Sequence, residues 1–322
     1  MAAKTQYEPM HSKTMLNQVK APSMPFDWSL NPYRGCQHGC SFCYARATHT
    51  FLGEQADDTF QHHIYFKENA AQALREQLAK AARSKQGLAK FGQVAIGTAT
   101  DPYQQIEAKS RLTRQCLEVL AEYGVPTSIT TRSPLILNDL DLLKSMNITS
   151  VNISLHSLDS NVWKRFEPST PSPVKRLETV RTLKEEGLHA GIFMAPVLPH
   201  ISDSDEELER FARAAKEHKA DFVMSSFLRL STQEVKYWFF ETLRAHYPDL
   251  VPVYADYYAS SHYAPDRYRI PVRKKIHGLL ERYGVGAKEP FSGRVQVRDE
   301  GNPSLQDHSD SRETPVQLSF SF

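Results

Sequence analysis

The sequence predicts an α/β protein, a partial (β/α)6 TIM-like barrel with a C-terminal helical extension. Three observations carry this expectation. Short strand-like segments alternate with helical patterns in six units, which is how parallel βα repeats read. The motif-bearing stretches fall at the C-terminal ends of those strands, where a curled parallel sheet collects function. A chain of 322 residues is long enough for one such barrel with appendages.

In chain order, residues 1–24 are polar and without a clear period, so they read as an N-terminal arm leading into the first strand. The barrel is expected over 25–230, with strands at Ser29 to Arg34, Val94 to Thr98, Thr127 to Thr131, Ser150 to Leu155, Ala190 to Met194 and Asp221 to Phe227. Helical patterns lie between them at Asn69 to Arg83, Ser110 to Tyr123, Leu135 to Met146, Val174 to Glu186 and Asp203 to Glu217. In the last of these, Asp203 and Glu206 stand at capping-box spacing, and Leu208, Phe211, Ala212 and Ala215 form one apolar stripe. An aromatic-rich helical extension follows over 231–297, with YADYYASSHYAP inside it. Residues 298–316 are rich in Asn, Asp, Ser and Pro and read as a disordered linker, and the chain ends in an apolar peptide, 317–322.

Composition excludes some function classes. Hydrophobic residues at 40% and charged residues at 24% fit a soluble globular protein. The 39 basic against 37 acidic residues give +2, so no global field announces a polyanionic partner. No apolar run has the length of a membrane span and the first residues, MAAKTQYEPMHSK, lack the apolar middle of a secretory signal, so no membrane partner and a cytoplasmic location are expected.

Three of the four cysteines, Cys36, Cys40 and Cys43, crowd into NPYRGCQHGCSFCYAR with C-x3-C-x2-C spacing. Soft thiolates so placed suit a metal or cluster better than a disulfide framework. Three ligands leave one iron of a cubane open to a chelating cofactor. Gly35 and Gly39 are expected to let the loop wrap closely around it. Zinc stays open as an alternative, with His38 or His49 completing a Cys3His site in a nucleic-acid-associated protein without catalysis. The motif is similar to that of the radical S-adenosylmethionine (SAM) superfamily. The longer stretches NPYRGCQHGCSFCYARATHTFLG, GTATDPYQQIE, SLHSLD, FEPSTPSPVKRL and APVLPHISD resemble more narrowly the relatives of spore photoproduct lyase, over about 28–285.

That resemblance implies a radical SAM-type barrel, a [4Fe-4S] cluster on Cys36, Cys40 and Cys43, SAM as cofactor and an electron donor such as flavodoxin or ferredoxin. It implies cleavage of SAM to methionine and a 5'-deoxyadenosyl radical that takes a hydrogen atom from substrate. It places Phe42 against adenine, Thr98, Thr100 and Asp101 at the methionine amino group, Ser154 at the ribose or carboxylate, and Glu167 at the ribose hydroxyls. Arg176 is expected on the SAM carboxylate, a task suited to bidentate geometry, and Pro196 and Pro199 are expected to shape the adenine pocket.

The sequence also departs from that family. The loop where a hydrogen-donating cysteine is expected reads Thr98, Ala99 and Thr100, and a hydroxyl cannot replace a thiol in that role because its bond to hydrogen is much stronger. Tyr44, Tyr103, Tyr257 and Tyr258 are the candidate substitutes. Cys116 shares helical spacing with Leu112, Leu117 and Leu120 and reads as a buried thiol, so ligands for a second cluster are missing. The substrate can be a nucleic-acid lesion, a peptide or a metabolite. Toward DNA point Arg267, Arg269, Arg273, Lys274 and Lys275 with Tyr268, which can track phosphates and stack on a base, although such a run is more often a solvated helix face. Toward a bacterial sliding clamp points the terminal peptide, with Gln317, Leu318, Phe320 and Phe322 as anchors; a strand docking back on the barrel is the alternative.

Overall fold

The computed structural model describes residues 4–20, 24–55 and 57–288, so the expected linker 298–316 and terminal peptide 317–322 lie outside the described residues. Two strands occupy the expected N-terminal arm, β1 (Gln6–Met10) and β2 (Leu16–Gln18). They are followed by β3 (Trp28–Leu30), β4 (Tyr33–Arg34), β5 (His63–Lys67), β6 (Val94–Ile96) and β7 (Thr127–Thr131). The series ends with β8 (Ile148–Ser154), β9 (Ala190–Val197), β10 (Phe222–Phe227) and β11 (Gly286–Lys288). The main sheet has the order β11-β10-β9-β8-β7-β6-β3-β2 and is parallel except where β2 meets β3. Its six central strands, β3 and β6 to β10, follow one another in chain order, which repeated crossovers of one hand produce. Strands covered on both faces read as continuous apolar runs, as in Val94, Ala95 and Ile96, all buried.

The helices are α1 (Thr59–His62), α2 (Ala70–Ala82), α3 (Glu107–Ser110), α4 (Leu112–Glu122), α5 (Leu140–Ser145) and α6 (Ser160–Phe166). They continue with α7 (Pro173–Glu185), α8 (Asp205–Glu217), α9 (Gln233–His246), α10 (Val251–Tyr257) and α11 (Asp266–Tyr283). The expected single strand from Ser29 to Arg34 breaks at Asn31–Pro32, where proline lacks the N–H a ladder needs. As a result β3 stays in the main sheet while β4 joins β5 and β1 in a separate three-stranded sheet. The expected helix from Leu135 opens as a 3-10 turn over Pro134–Asp139, and Arg111, at φ 51°, separates α3 from α4. The cap of α8 is Ser204, whose hydroxyl accepts the Glu207 N–H at 3.2 Å, so the expected Asp203/Glu206 pair is off by one residue. Asp203 instead accepts a hydrogen bond from the Tyr268 hydroxyl.

One core lies between the sheet and α2, α4, α7, α8 and α11, and includes Cys116, Leu117, Leu120, Ile153, Ile192 and Phe211. A second core joins Phe166, Leu198, Leu228 and Leu230 to Val235, Phe239, Leu243, Tyr254 and Tyr258 of the extension. The extension is thus packed onto the barrel's loop end, and β11 adds a parallel strand beside β10.

Candidate active site

The cysteine loop leaves β4 and runs into a 3-10 turn over Tyr44–Leu52. Its three thiols are free, those of Cys36 and Cys40 buried and that of Cys43 half-buried. Backbone bonds fold the loop tightly: the Cys36 N–H donates to Phe60 O at 2.8 Å, and the Gly39 and Cys43 N–H groups donate to Cys36 O and Cys40 O at 3.2 Å. Gly35 and Gly39 have φ of +75° and +59°. A Cβ at Gly35 would stand 2.6 Å from His63 O, and one at Gly39 1.9 Å from Gln61 Oε1. The close approach expected of these glycines is therefore to the segment carrying α1 and β5. The Arg46 guanidinium lies 4.3 Å from the Trp238 ring and 3.5 Å from Cys40 O, tying the loop to the extension. Burial, then Asp101 and Cys43, pushes the Cys36 thiol up to about 12, a shift that binding to a cation reverses.

Among the described residues, no three His, Cys, Asp or Glu side chains converge on a point that could hold one metal ion. The imidazoles offered to zinc are directed elsewhere: His38 Nε2 lies 3.1 Å from Asp101 Oδ2, and His49 Nε2 lies 3.2 Å from His63 O. Thiols that each ligate a different corner of a cubane need no such common point.

Opposite the loop, the turn after β6 is fastened by Asn31, whose Nδ2 donates to Thr98 Oγ1 at 3.0 Å and whose Oδ1 accepts the Ala99 N–H at 3.0 Å. Asp101 accepts from the Tyr103 N–H (2.9 Å), the Thr131 hydroxyl (2.6 Å) and the Arg132 N–H (2.7 Å). Burial alone would raise its carboxyl, but His38 and these donors bring it down to about 2. Thr100 Oγ1 is buried without a partner among the described residues.

Glu167 sits at the crossing of three chain segments. Arg132 Nε donates to its Oε1 at 2.7 Å, Arg176 approaches its Oε2 at 2.7 Å, and His156 Nδ1 lies 3.1 Å from the same oxygen. Cys40 Sγ is 3.6 Å from Oε1. Burial opposes the charge, yet Arg176, His156 and Arg132 outweigh it and hold the Glu167 carboxyl well below its ordinary range. Arg176, expected on the SAM carboxylate, is fully buried; besides Glu167 it donates to Ser154 O (3.0 Å), Pro171 O (2.9 Å) and Thr170 Oγ1. Of the three guanidinium nitrogens of Arg132, only Nε is hydrogen-bonded among the described residues. Ser154 is 2% exposed at the end of β8. The Phe42 ring meets His156 edge-on at 5.1 Å and stacks on Phe166 at 6.4 Å. Pro196 lies inside β9, which runs three residues beyond its expected end, and Pro199 O accepts the Tyr254 hydroxyl at 2.8 Å.

The four candidate tyrosines separate. The Tyr44 hydroxyl donates to Thr98 O and bridges the cysteine loop to the turn after β6. Tyr103 is buried and donates to Asp139 at 2.9 Å, and Tyr258 is buried and donates to Leu228 O at 3.3 Å. Tyr257 packs with His200 and Tyr268. Cys116 is buried in the main core, as its spacing indicated. In the basic run, Arg267 pairs with Asp256, Arg269 with Asp266 and Lys275 with Asp205, so much of its charge is locally neutralised.

Asn31, His38, Arg132 and His156 were not singled out as cofactor-site residues by sequence. The signal available was position: Arg132 directly follows β7, and His156 stands two residues past β8.

An open parallel barrel with three free thiols on a loop at its strands' C-terminal end defines a cofactor-dependent α/β enzyme. The sequence model of the Radical SAM superfamily matches residues 30–212, and the chain belongs to that superfamily. An uncharacterised protein of Mycobacterium tuberculosis is 34% identical over 277 residues, covering 84% of this chain and 79% of that one. A Radical SAM Nalpha-GlyT isomerase of Pseudomonas phage M6 is 27% identical over 57% of this chain and 36% of its own. Spore photoproduct lyase complexed with dinucleoside spore photoproduct superposes with TM-score 0.63 at 18% identity, covering 88% of this chain and 82% of that one. Streptococcus suis SuiB bound to S-adenosylmethionine gives TM-score 0.51 at 15% identity, over 86% and 54%.

The protein is therefore an enzyme whose family cofactors are a [4Fe-4S] cluster and SAM, and which needs a reductant. Its own residues fit both groups: soft, unpaired thiols for iron, and an orphaned Thr100 hydroxyl and half-engaged Arg132 for a polar cofactor. No helix among the described residues is long and apolar enough to cross a membrane.

Proposed function

We propose that this enzyme is a spore photoproduct lyase-like radical SAM protein that abstracts a hydrogen atom from a nucleic-acid substrate. The observation that carries the reading is the placement of the three free thiols beside the Asp101 and Glu167 networks at one end of the barrel. When bound, the cluster and SAM supply reductive cleavage to methionine and a 5'-deoxyadenosyl radical, with the electron coming from a flavodoxin or ferredoxin.

The chain's residues bind and orient. Cys36, Cys40 and Cys43 would each hold one iron, and the burial of Cys36 and Cys40 would limit access of water to them. Thr98 and Thr100 would meet the amino group of SAM, on a turn that Asp101 and Asn31 fasten. Glu167 and Ser154 would serve the ribose, and Phe42 would flank the adenine. Arg132, with its terminal nitrogens uncommitted, takes the carboxylate role expected of Arg176, while Arg176 holds Glu167 in place. Of the tyrosines, Tyr44 is the candidate for exchanging a hydrogen atom with substrate, because its phenol alone of the four bonds to the Thr98 carbonyl. Support for a nucleic-acid substrate comes from the solved relative that carries a dinucleoside lesion.

The test is anaerobic reconstitution, iron analysis and addition of SAM and dithionite. About four irons per chain and release of 5'-deoxyadenosine are expected. Deuterium appearing in that product from labelled DNA identifies the substrate class, and deuterium arriving only from a labelled peptide reassigns it. A reconstituted protein that binds no iron, or that never yields 5'-deoxyadenosine, sinks the proposal.

A further inference from the structure

Three charges of the exposed basic run of α11 pair with acids, and outside the run a further guanidinium, Arg229, is left without one among the described residues. Arg229 follows β10 by two residues and is pinned there by its backbone: it bridges Tyr263 in antiparallel fashion, and the Leu230 N–H donates to His262 O at 2.9 Å. Its guanidinium carbon stands 5.9 Å from the centre of the Tyr263 ring. From α11, Arg269 approaches the same ring at 5.1 Å. Among the described residues Arg229 makes no side-chain hydrogen bond and no ion pair, and its Nε is buried without a partner.

The place of this pair in the fold is fixed by Tyr44. Arg229, Arg132 and Tyr263 all lie within electrostatic reach of its phenol, which itself donates to Thr98 O. Arg229 follows the C-terminal end of β10 as Thr98 and Arg132 follow those of the parallel strands β6 and β7, so it stands at the same end of the sheet as the candidate SAM turn. A half-buried guanidinium without an acid is partly desolvated, and an incoming anion would offset that cost. Planar N–H donors match phosphate in a bidentate way. Guanidiniums interleaved with Tyr44 and Tyr263 make the mixed cationic and aromatic surface that tracks a nucleotide chain, whereas a peptide carries a carboxylate only at its end or on acidic side chains.

We propose that Arg229, stacked on Tyr263 and backed by Arg269, is the seat of a substrate phosphate and holds a nucleotide of a single strand over the SAM site. This rests on the radical SAM reading above and names the substrate group that site takes.

The experiment uses the full-length, anaerobically reconstituted enzyme with saturating SAM, a short fluorescent single-stranded DNA oligonucleotide as probe, and anisotropy over a salt series. Arg229→Gln is expected to weaken binding about tenfold and to lower the salt slope by about one phosphate contact. Arg229→Lys should retain part of the affinity, and Arg267→Gln should change it by less than about twofold. Iron content and SAM affinity of Arg229→Gln should equal the parent's. Parent-like DNA affinity in Arg229→Gln overturns the proposal, and so does loss of its SAM affinity, which would move Arg229 to the cofactor. A parent enzyme that releases 5'-deoxyadenosine yet ignores the oligonucleotide overturns the phosphate seat and leaves the radical chemistry standing. Failure of both takes the functional reading with it.

Discussion

At the residue scale, Glu167 illustrates how charge is held inside this protein. Its carboxylate faces Arg132, Arg176 and His156 in a setting where removing one partner strands the others. Glu167→Gln should lower stability by about 3 kcal/mol in a denaturant titration, because the buried Arg176 and the half-buried Arg132 lose their counter-charge. Cys36→Ala, Cys40→Ala and Cys43→Ala should each lose cluster iron on reconstitution, while Cys116→Ala, whose thiol lies in the main core, should keep it. Lys67 offers a pH test away from the site. It is 6% exposed on β5, and burial, followed by the like charge of Arg34, brings its ammonium down to about 8. The folded state thus releases this proton before the unfolded state does, so the penalty is full below pH 8 and fades as pH rises toward the ordinary lysine value near 10.4. Lys67→Met should stabilise the protein at pH 7 by on the order of 2–3 kcal/mol, and the gain should shrink across that window; a gain independent of pH would contradict it. The cysteines were legible because their spacing is local. Arg132 and His156 were not, since each acquires meaning only where it meets Glu167.

At the element scale, helix ends and strand ends are decided by single residues. α8 begins where the Ser204 hydroxyl accepts the Glu207 N–H. Ser204→Ala should therefore cost about 1 kcal/mol in thermal or chemical unfolding, while Glu206→Ala should fall within a few tenths. A larger effect at Glu206 would restore the cap as read from sequence. The apolar stripe of this helix, Leu208, Phe211, Ala212 and Ala215, is buried as its period indicated. The strand expected from Ser29 to Arg34 splits because Pro32 interrupts the ladder, and the split puts β4, which leads into the cysteine loop, in the three-stranded sheet. β9 continues to Val197 because it pairs with β10 along that length, a partner whose register no local pattern reveals.

On the scale of the whole molecule, the extension is part of the barrel's closure. Phe166 and Leu230 from the barrel share a core with Phe239 and Tyr254, and Arg46 of the cysteine turn rests on Trp238. A chain ending after Leu230 should consequently express as insoluble or molten material without near-ultraviolet circular dichroism; a soluble, cooperatively unfolding fragment would refute this. For the terminal peptide the sequence alone carries the proposal: the full-length chain should bind a bacterial sliding clamp, and Gln317→Ala with Leu318→Ala should abolish it. By itself the sequence determined the alternation of strands and helices, the three-thiol spacing and the apolar faces, because periodicity and ligand spacing are written in neighbouring residues. Only the tertiary structure decided that Arg176 is occupied by Glu167 and that Arg132 is half-engaged. It likewise paired Arg267, Arg269 and Lys275 of the basic run with acids and left Arg229, outside that run, without one among the described residues. Those outcomes depend on which strand ends meet across the barrel mouth, and a charge's partner, hence its role, is set by distance in space.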